Sequence, residues 1–276
     1  MGGAGDVAVM RIISLNAWGG AVWTSLGPWI ATKAFDVLCL QEVTRRIAPS
    51  PKWLVYGDAY RRLDQRADLF GDVSAALPDW QASFAPAARG PLFDAAGQAV
   101  PSEHGIAIWV APHLAVTGRS QGFVHGAFRA EGWGPEPVPR AVQSCRIEGG
   151  GRPVSVTHLH GLRDPSGKGD TPERLAQAQA LLDHLQHFTG PDQTTVVAGD
   201  LNLLPDSQTF PLLAQRGLVE LVTHYGHDDT RTALYGKAKR HANYCLTDDM
   251  ERVRAFDVPA TPVLSDHRPL VLDLFD

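Results

Sequence analysis

The chain has 276 residues, 44% of them hydrophobic and 20% charged, a balance ordinary for a folded globular protein and long enough for one substantial core. A net charge of −5 without a long Lys/Arg run argues against a protein built to grip many phosphates of a long nucleic acid, although shorter contacts with nucleic acid remain compatible with it. No stretch approaches the roughly 18 apolar residues of a membrane span, so no membrane partner is expected.

In chain order, VAVMRIISLN (7–16) and DVLCLQEV (36–43) read as buried strands. TSLGPWIATKAF between them reads as a short helix with Pro28 near its start. RADLFGDVSAAL (66–77) is a helix candidate. HGIAIWVAP (104–112), AVQSCRIEG (141–149) and RPVSVTHLH (152–160) are strands. The segments 85–103 and 118–139 read as loops that carry Phe93, Phe123, Phe128 and Trp133; the second has five Gly and three Pro, and its aromatics suggest a lid over a small substrate. TPERLAQAQALLDHLQHF (171–188) is the clearest helix: Thr171 can cap it, Pro172 suits its first position, and Leu175, Ala178, Leu182 and Leu185 give the three-to-four spacing. TTVVAGD (194–200) is another strand, and DSQTFPLLAQRG begins another short helix. HANYCLT, VRAFDV and PLVLDLF close the chain as strands.

Strands that alternate with helices in places and follow one another elsewhere imply packed sheets with helices outside, in one domain spanning 1–276 with residues 1–9 flexible. Cys39, Cys145 and Cys245 are odd in number, widely spaced and set in apolar runs, so reduced, packed thiols are expected. The opening MGGAGDVAV has neither the basic nor the apolar segment of a secretion leader, and a cytoplasmic monomer is expected.

Polar groups recur at the ends of these apolar strands. Asn16 ends the first and Gln41-Glu42 the second. His158 and His160 end VSVTHLH, Asp200 and Asn202 follow TTVVAG, and Asp266-His267 precede the last strand. Residues two apart on an extended chain point the same way, so Asp200 and Asn202 can face one pocket, and Gly199 lets backbone or ligand come close. Glu42, Asp200, Asn202, Asp266 and Asn16 offer oxygen atoms, a donor set that suits Mg²⁺ or Mn²⁺ better than Zn²⁺. A hard cation beside two histidines fits attack of water on a phosphate ester.

The ordered set of Asn16, LQE with Glu42, THL with His158, GDLN with Asp200 and Asn202, and SDH with Asp266 and His267 resembles the endonuclease/exonuclease/phosphatase superfamily, DNase I-like in fold. The resemblance spans residues 11–274. It implies an α/β four-layer sandwich, two central, mostly antiparallel β-sheets flanked by helices, and Mg²⁺-dependent (or Mn²⁺-dependent) phosphoester hydrolysis. It implies Glu42 as the main metal ligand with Asn16 and Asp266 nearby, Asp200 orienting and deprotonating water, and Asn202 holding phosphate or water. It further implies His158 stabilising the pentacovalent phosphorus and His267 contacting phosphate or assisting the leaving group. Arg174 and Gln177 resemble the family's Arg-x-x-Gln helix pair, a supporting element.

One departure matters. Family members often carry Asp-Tyr on the strand before the last SDH, where the Asp braces the final histidine; here Asn243 precedes Tyr244. An amide cannot supply the charge that favours imidazolium, so His267 works neutral, Asp248 or Asp249 substitutes, or activity is low. His160, Arg163 and Lys168 in HLHGLRDPSGKGDTPER form a candidate loop for the substrate's phosphate or head group. A small soluble phosphoester is the favoured substrate, a nuclease with the same site is the alternative, and a catalytically weak binding protein is the alternative from another class.

Overall fold

The computed structural model describes residues 9–57, 62–134, 138–149, 151–238 and 240–275. The expected flexible stretch 1–9 lies outside them apart from Val9. The strands are β1 (Val9–Asn16), β2 (Val37–Arg46), β3 (Trp53–Gly57), β4 (Arg62–Arg66), β5 (Gln81–Phe93), β6 (Ala99–Val110), β7 (Ala115–His125), β8 (Arg140–Glu148), β9 (Val154–His160), β10 (Thr194–Asp200), β11 (Val219–Glu220), β12 (Asn243–Thr247), β13 (Val253–Asp257) and β14 (Leu270–Phe275). The helices are α1 (Trp23–Ala31), α2 (Leu69–Ala76), α3 (Pro172–Phe188), α4 (Thr209–Ala214) and α5 (Leu221–His224).

The strands form an eight-stranded sheet, β13-β14-β1-β2-β6-β5-β3-β4, and a six-stranded sheet, β11-β12-β10-β9-β8-β7. Pairing is antiparallel except between β1 and β2 and between β9 and β10. Alternation along β1 and β2 explains the layering. Ile12, Val37 and Cys39 join Val154, Val156 and Val196 in the core between the sheets, whereas Ile13, Leu38 and Leu40 meet Leu26 and Ile30 of α1 and Leu69 and Val73 of α2 on the outer face. Strands buried on both faces read as unbroken apolar runs. On the far side α3 lies over β7 and β8, where His184 Nε2 is 2.8 Å from Ser144 Oγ. Thr171 caps α3 by accepting from Arg174 N, with Pro172 following it, as its sequence predicts.

All three cysteines are buried and unbonded. Among the described residues, no helix is long and apolar enough to cross a membrane.

Three expectations about elements change. The supposed loops 85–103 and 118–139 are largely strand: β5 and β6 pair along their length, and β7 extends to His125. Pro86, Gly90 and Pro91 disguised β5. They are tolerated because β5 shifts register between Pro86 and Ala88 and meets β3 at Val55–Phe93 alone among the described residues. Pro28 lies inside α1, beyond a first turn already closed by Ser25 N and Leu26 N donating to Val22 O. The hairpin β3–β4 was not anticipated from the sequence.

Candidate active site

The sheets bring their polar strand ends to one cavity of about 590 Å³. Asp200 closes β10 beside His160 on β9, its parallel register partner, and Asn243 on β12, its antiparallel one. Gly199 permits that approach: a Cβ there would lie 2.0 Å from Leu159 O. Glu42 reaches the cavity through a bulge in β2, where pairing with β6 skips between Leu40 and Val43 and Glu42 takes φ 54°. A bulge re-aims a side chain that regular alternation would bury. Trp18 and Asn202, also on the cavity wall, share the left-handed backbone with φ 51° and 54°. Such strain costs about 1–3 kcal/mol per residue and collects at functional sites.

Asn16 braces the carboxylates. Its Nδ2 donates to Glu42 Oε1 and Asp200 Oδ2, both at 3.0 Å, and its Oδ1 accepts from Trp18 N at 3.0 Å. One lone pair of that oxygen is thus taken by a backbone N–H, which leaves the other for a cation or water. Asp200 Oδ1 accepts from Asn202 N at 3.0 Å, and Asn202 Nδ2 donates to Gly161 O at 3.3 Å. Asp200 Oδ2 lies 3.5 Å from His267 Nε2 and 3.7 Å from His160 Nε2. Burial alone would raise the Asp200 carboxyl; His267, His160, Arg231 and the Asn16 hydrogen bond outweigh it and hold the group well below the usual carboxylate range. Asp266 moves the other way, to about 6, because burial and its neighbours Glu42 and Asp200 exceed the help of Arg231.

The two histidines of β9 sit at different depths. His158 is fully enclosed: its Nε2 donates to Gln143 Oε1 at 3.2 Å, and its Nδ1 accepts from Gln41 Nε2 at 3.4 Å. Burial lowers it to about 3. Two glutamines occupy both ring nitrogens, and the ring sits behind the cavity wall and not on it. His160, one pleat further along the same face of β9, lines the cavity instead and is lowered to about 4, chiefly by burial.

Arg231 had no signal in the sequence beyond an unremarkable DDTRTA. It is 5% exposed, and its Nη1 donates to Asp266 Oδ2 at 2.8 Å and to His267 Nε2, while its guanidinium stacks 4.2 Å over Tyr235. A strand-like contact of Arg231 with His267 carries it there. Arg163 and Lys168 also line the cavity, and burial and then Arg231 lower Lys168 to about 8.

Arg174 turns inward beneath the loop that carries these cations, bonding Gly167 O at 2.7 Å, Leu162 O at 3.4 Å and Gly169 O; Gln177 Oε1 accepts from Leu162 N at 2.7 Å. Replacing Arg174 by Met removes a charged donor from several carbonyls and is expected to cost roughly 2–3 kcal/mol, read from urea unfolding. Tyr244 points away from the cavity, its hydroxyl donating to Leu203 O at 3.1 Å. Of the three expected lid aromatics, Phe123, Phe128 and Trp133, Trp133 alone lines the cavity; Phe123 packs with Ala85, Ile106 and Ala141.

A family profile described as the endonuclease/exonuclease/phosphatase family matches residues 13–267, nearly the whole chain. The chain belongs to that family. No curated protein matches it. Among solved structures, an endonuclease/exonuclease/phosphatase family protein from Bacteroides thetaiotaomicron superposes with a TM-score of 0.66 at 14% identity, covering 98% of this chain and 96% of that one. A mannosyl-6-phosphatase from the same species gives 0.66 at 13% identity, covering 95% and 98%. The human nocturnin catalytic domain gives 0.58 at 18%, covering 96% and 93%. At these identities the structural likeness establishes the shared two-sheet fold.

Within this family member, Asn243 does face His267: its Oδ1 meets His267 Nδ1. Neither Asp248 nor Asp249 substitutes. Asp248 accepts from Thr195 N and Asp249 from Thr194 Oγ1, both beyond the opposite end of β12. Arg231 can only donate, so Nε2 of His267 is an acceptor and the proton sits on Nδ1, bonded to Asn243 Oδ1. Burial lowers His267 to about 3. Imidazole NMR of the unmodified protein is therefore expected to show a neutral Nδ1–H ring across neutral pH. In Asn243→Asp the anion favours imidazolium and raises the pKa, with Arg231 opposing it. An Nε2–H tautomer in the unmodified protein would refute the assignment.

The donor chemistry fits a hard cation. Three carboxylates, Glu42, Asp200 and Asp266, face the cavity and offer the hard oxygen donors such an ion prefers. Among the described residues no group of three or more His, Cys, Asp and Glu is close enough to cage an ion unaided. Mg²⁺ needs no cage, since it is commonly held by one or two carboxylates together with water and substrate phosphate.

Proposed function

We propose that this chain hydrolyses a phosphoester bond of a small soluble molecule, with Mg²⁺ or Mn²⁺, by in-line attack of water. The observation that carries the proposal is Asp200 held ionised in a buried site, braced by Asn16 and Asn202 and flanked by the cation Arg231. Glu42 and Asp266 would hold the metal, which would neutralise phosphate charge and polarise its oxygen.

The protein's own groups do the rest. Asp200, anionic throughout the working pH range, accepts a hydrogen bond from water and so turns a lone pair of the water oxygen towards phosphorus. The water oxygen bonds phosphorus as the bond from phosphorus to the leaving oxygen breaks. Asp200 takes the water proton as that bond forms, and the leaving oxygen takes a proton from solvent. Arg231, permanently charged, stabilises the equatorial oxygens, a role for which neutral His267 is unsuited. His160 and Asn202 position water and phosphate.

A panel of phosphomonoesters, phosphodiesters, plasmid DNA and single-stranded RNA, assayed with and without EDTA, tests the proposal. Turnover of small esters that stops in EDTA and returns with Mg²⁺ or Mn²⁺ is expected. Inertness towards the whole panel in both metals would leave a binding protein on this scaffold.

A further inference from the structure

Beyond its carboxylates the cavity has a second lining that phosphate hydrolysis alone does not need. Its volume lies within the roughly 300–1,000 Å³ of pockets that enclose whole small ligands. Trp18, Tyr56, His104 and Trp133 line it with rings, and Leu63 and Ile106 with aliphatic groups.

These rings are fixed in place. Trp133 is seated on Gly90 of β5, where a Cβ would come within 2.5 Å of the indole. Its Nε1 donates to Pro91 O at 2.9 Å, and its carbonyl accepts from Arg129 Nη1 at 2.6 Å. His104 and Tyr56 lie 4.6 and 6.3 Å from it, centroid to centroid. The β3–β4 hairpin curls back to bring Tyr56 and Leu63 into the same cavity as Glu42. Thr44 Oγ1 on β2 donates to Arg66 O at 2.6 Å, and Gln65 packs under Gly19, where a Cβ would meet it at 2.6 Å. Trp18, held through its backbone N–H by Asn16, joins the ring wall to the carboxylate brace.

Charge in the cavity opposes that of the whole chain. Arg140, Arg163, Lys168, Arg174, Arg231 and Lys237 line it against Glu42, Asp164, Asp200 and Asp266, an excess of cations in a chain of net −5. Arg231 and Arg174 are engaged with Asp266 and with loop carbonyls. Arg163 and Lys237 carry exposed positive heads at the same cavity. This lining suits a ligand with a flat apolar ring and more negative charge than one phosphate supplies.

We propose that the substrate is a free nucleotide bearing a second phosphate. Its base lies on the wall of Trp133, His104 and Tyr56, its scissile phosphate at Asp200, and its second phosphate at Arg163 and Lys237. The proposal rests on the hydrolase reading of the same site. The end of a nucleic-acid strand would present the same ring and phosphate, but the acidic balance of the chain favours the free molecule.

The test compares kcat/KM of the full chain in Mg²⁺ for adenosine 3′,5′-bisphosphate, AMP, fructose 1,6-bisphosphate and a single-stranded oligonucleotide. The adenosine bisphosphate should exceed the fructose bisphosphate about 10- to 100-fold, through KM, the scale of base stacking on aromatic side chains. Trp133→Ala should collapse that ratio. Because Trp133 also packs, the exposed Lys237 gives a second variant: Lys237→Ala should raise KM for the adenosine bisphosphate more than for AMP. Calorimetric binding of adenosine 3′,5′-bisphosphate to Asp200→Asn separates the two readings. Tight binding without turnover by the unmodified enzyme would keep the nucleotide site and sink the hydrolase. Turnover with no preference for the ring would keep the hydrolase and overturn the nucleotide site, as would absence of binding or faster cleavage of the oligonucleotide.

Discussion

Asp200→Asn is expected to lower kcat by about 10²-fold or more, the scale of removing a general base, with a much smaller change in KM. Both carboxylate oxygens are in use: Oδ1 accepts from Asn202 N and Oδ2 from Asn16 Nδ2. An amide keeps one acceptor and turns its NH₂ towards another donor, so the variant loses the water-orienting anion and some of its bracing together. Because Asp200 stays ionised far below neutrality, the unmodified enzyme should show no loss of rate from Asp200 titration above about pH 4, the ordinary carboxylate value. Steady-state kinetics on a protein whose cooperative unfolding has been verified decides the matter. A kcat within a few-fold of the unmodified enzyme would remove Asp200 from the chemistry.

The parts of the site readable from the sequence are those that strand geometry forces. TTVVAGDLN announces a buried strand ending in a carboxylate, and β10 ends at Asp200 inside the cavity. Two-residue periodicity has a limit that His158 and His160 expose. Both point to the same face of β9, and only depth separates them: one is enclosed by glutamines from both sheets, the other reaches the cavity. Asn16 was legible as a member of the site but not in its orientation, which the Trp18 N–H fixes. Arg231 was illegible. It comes from an irregular segment, reaches the site through a non-local contact with His267, and belongs to no periodic pattern. Pro86 and Pro91 concealed β5 because proline signals a break unless the unpaired side of the strand is known. The same blind spot hid the hairpin that completes the ring-lined wall.

Glu42→Gln is expected to abolish most activity, by orders of magnitude, while leaving the fold intact. The residue sits on a β-bulge in the left-handed region, a conformation that aims its side chain into the cavity. Glutamine is of equal size, and its Oε1 can still accept from Asn16 Nδ2, as Glu42 Oε1 does at 3.0 Å. What it removes is the negative charge. A hard cation held by only one or two protein carboxylates depends on each of them, so Mn²⁺ affinity, read by paramagnetic resonance without substrate, should fall together with kcat/KM. Excess Mg²⁺ should restore part of the rate if the loss is one of metal occupancy. The unmodified enzyme should lose activity in EDTA and regain it with Mg²⁺ or Mn²⁺. Full activity in excess chelator, or normal Mn²⁺ binding by Glu42→Gln, would separate Glu42 from the metal and leave its strained backbone without a chemical reason.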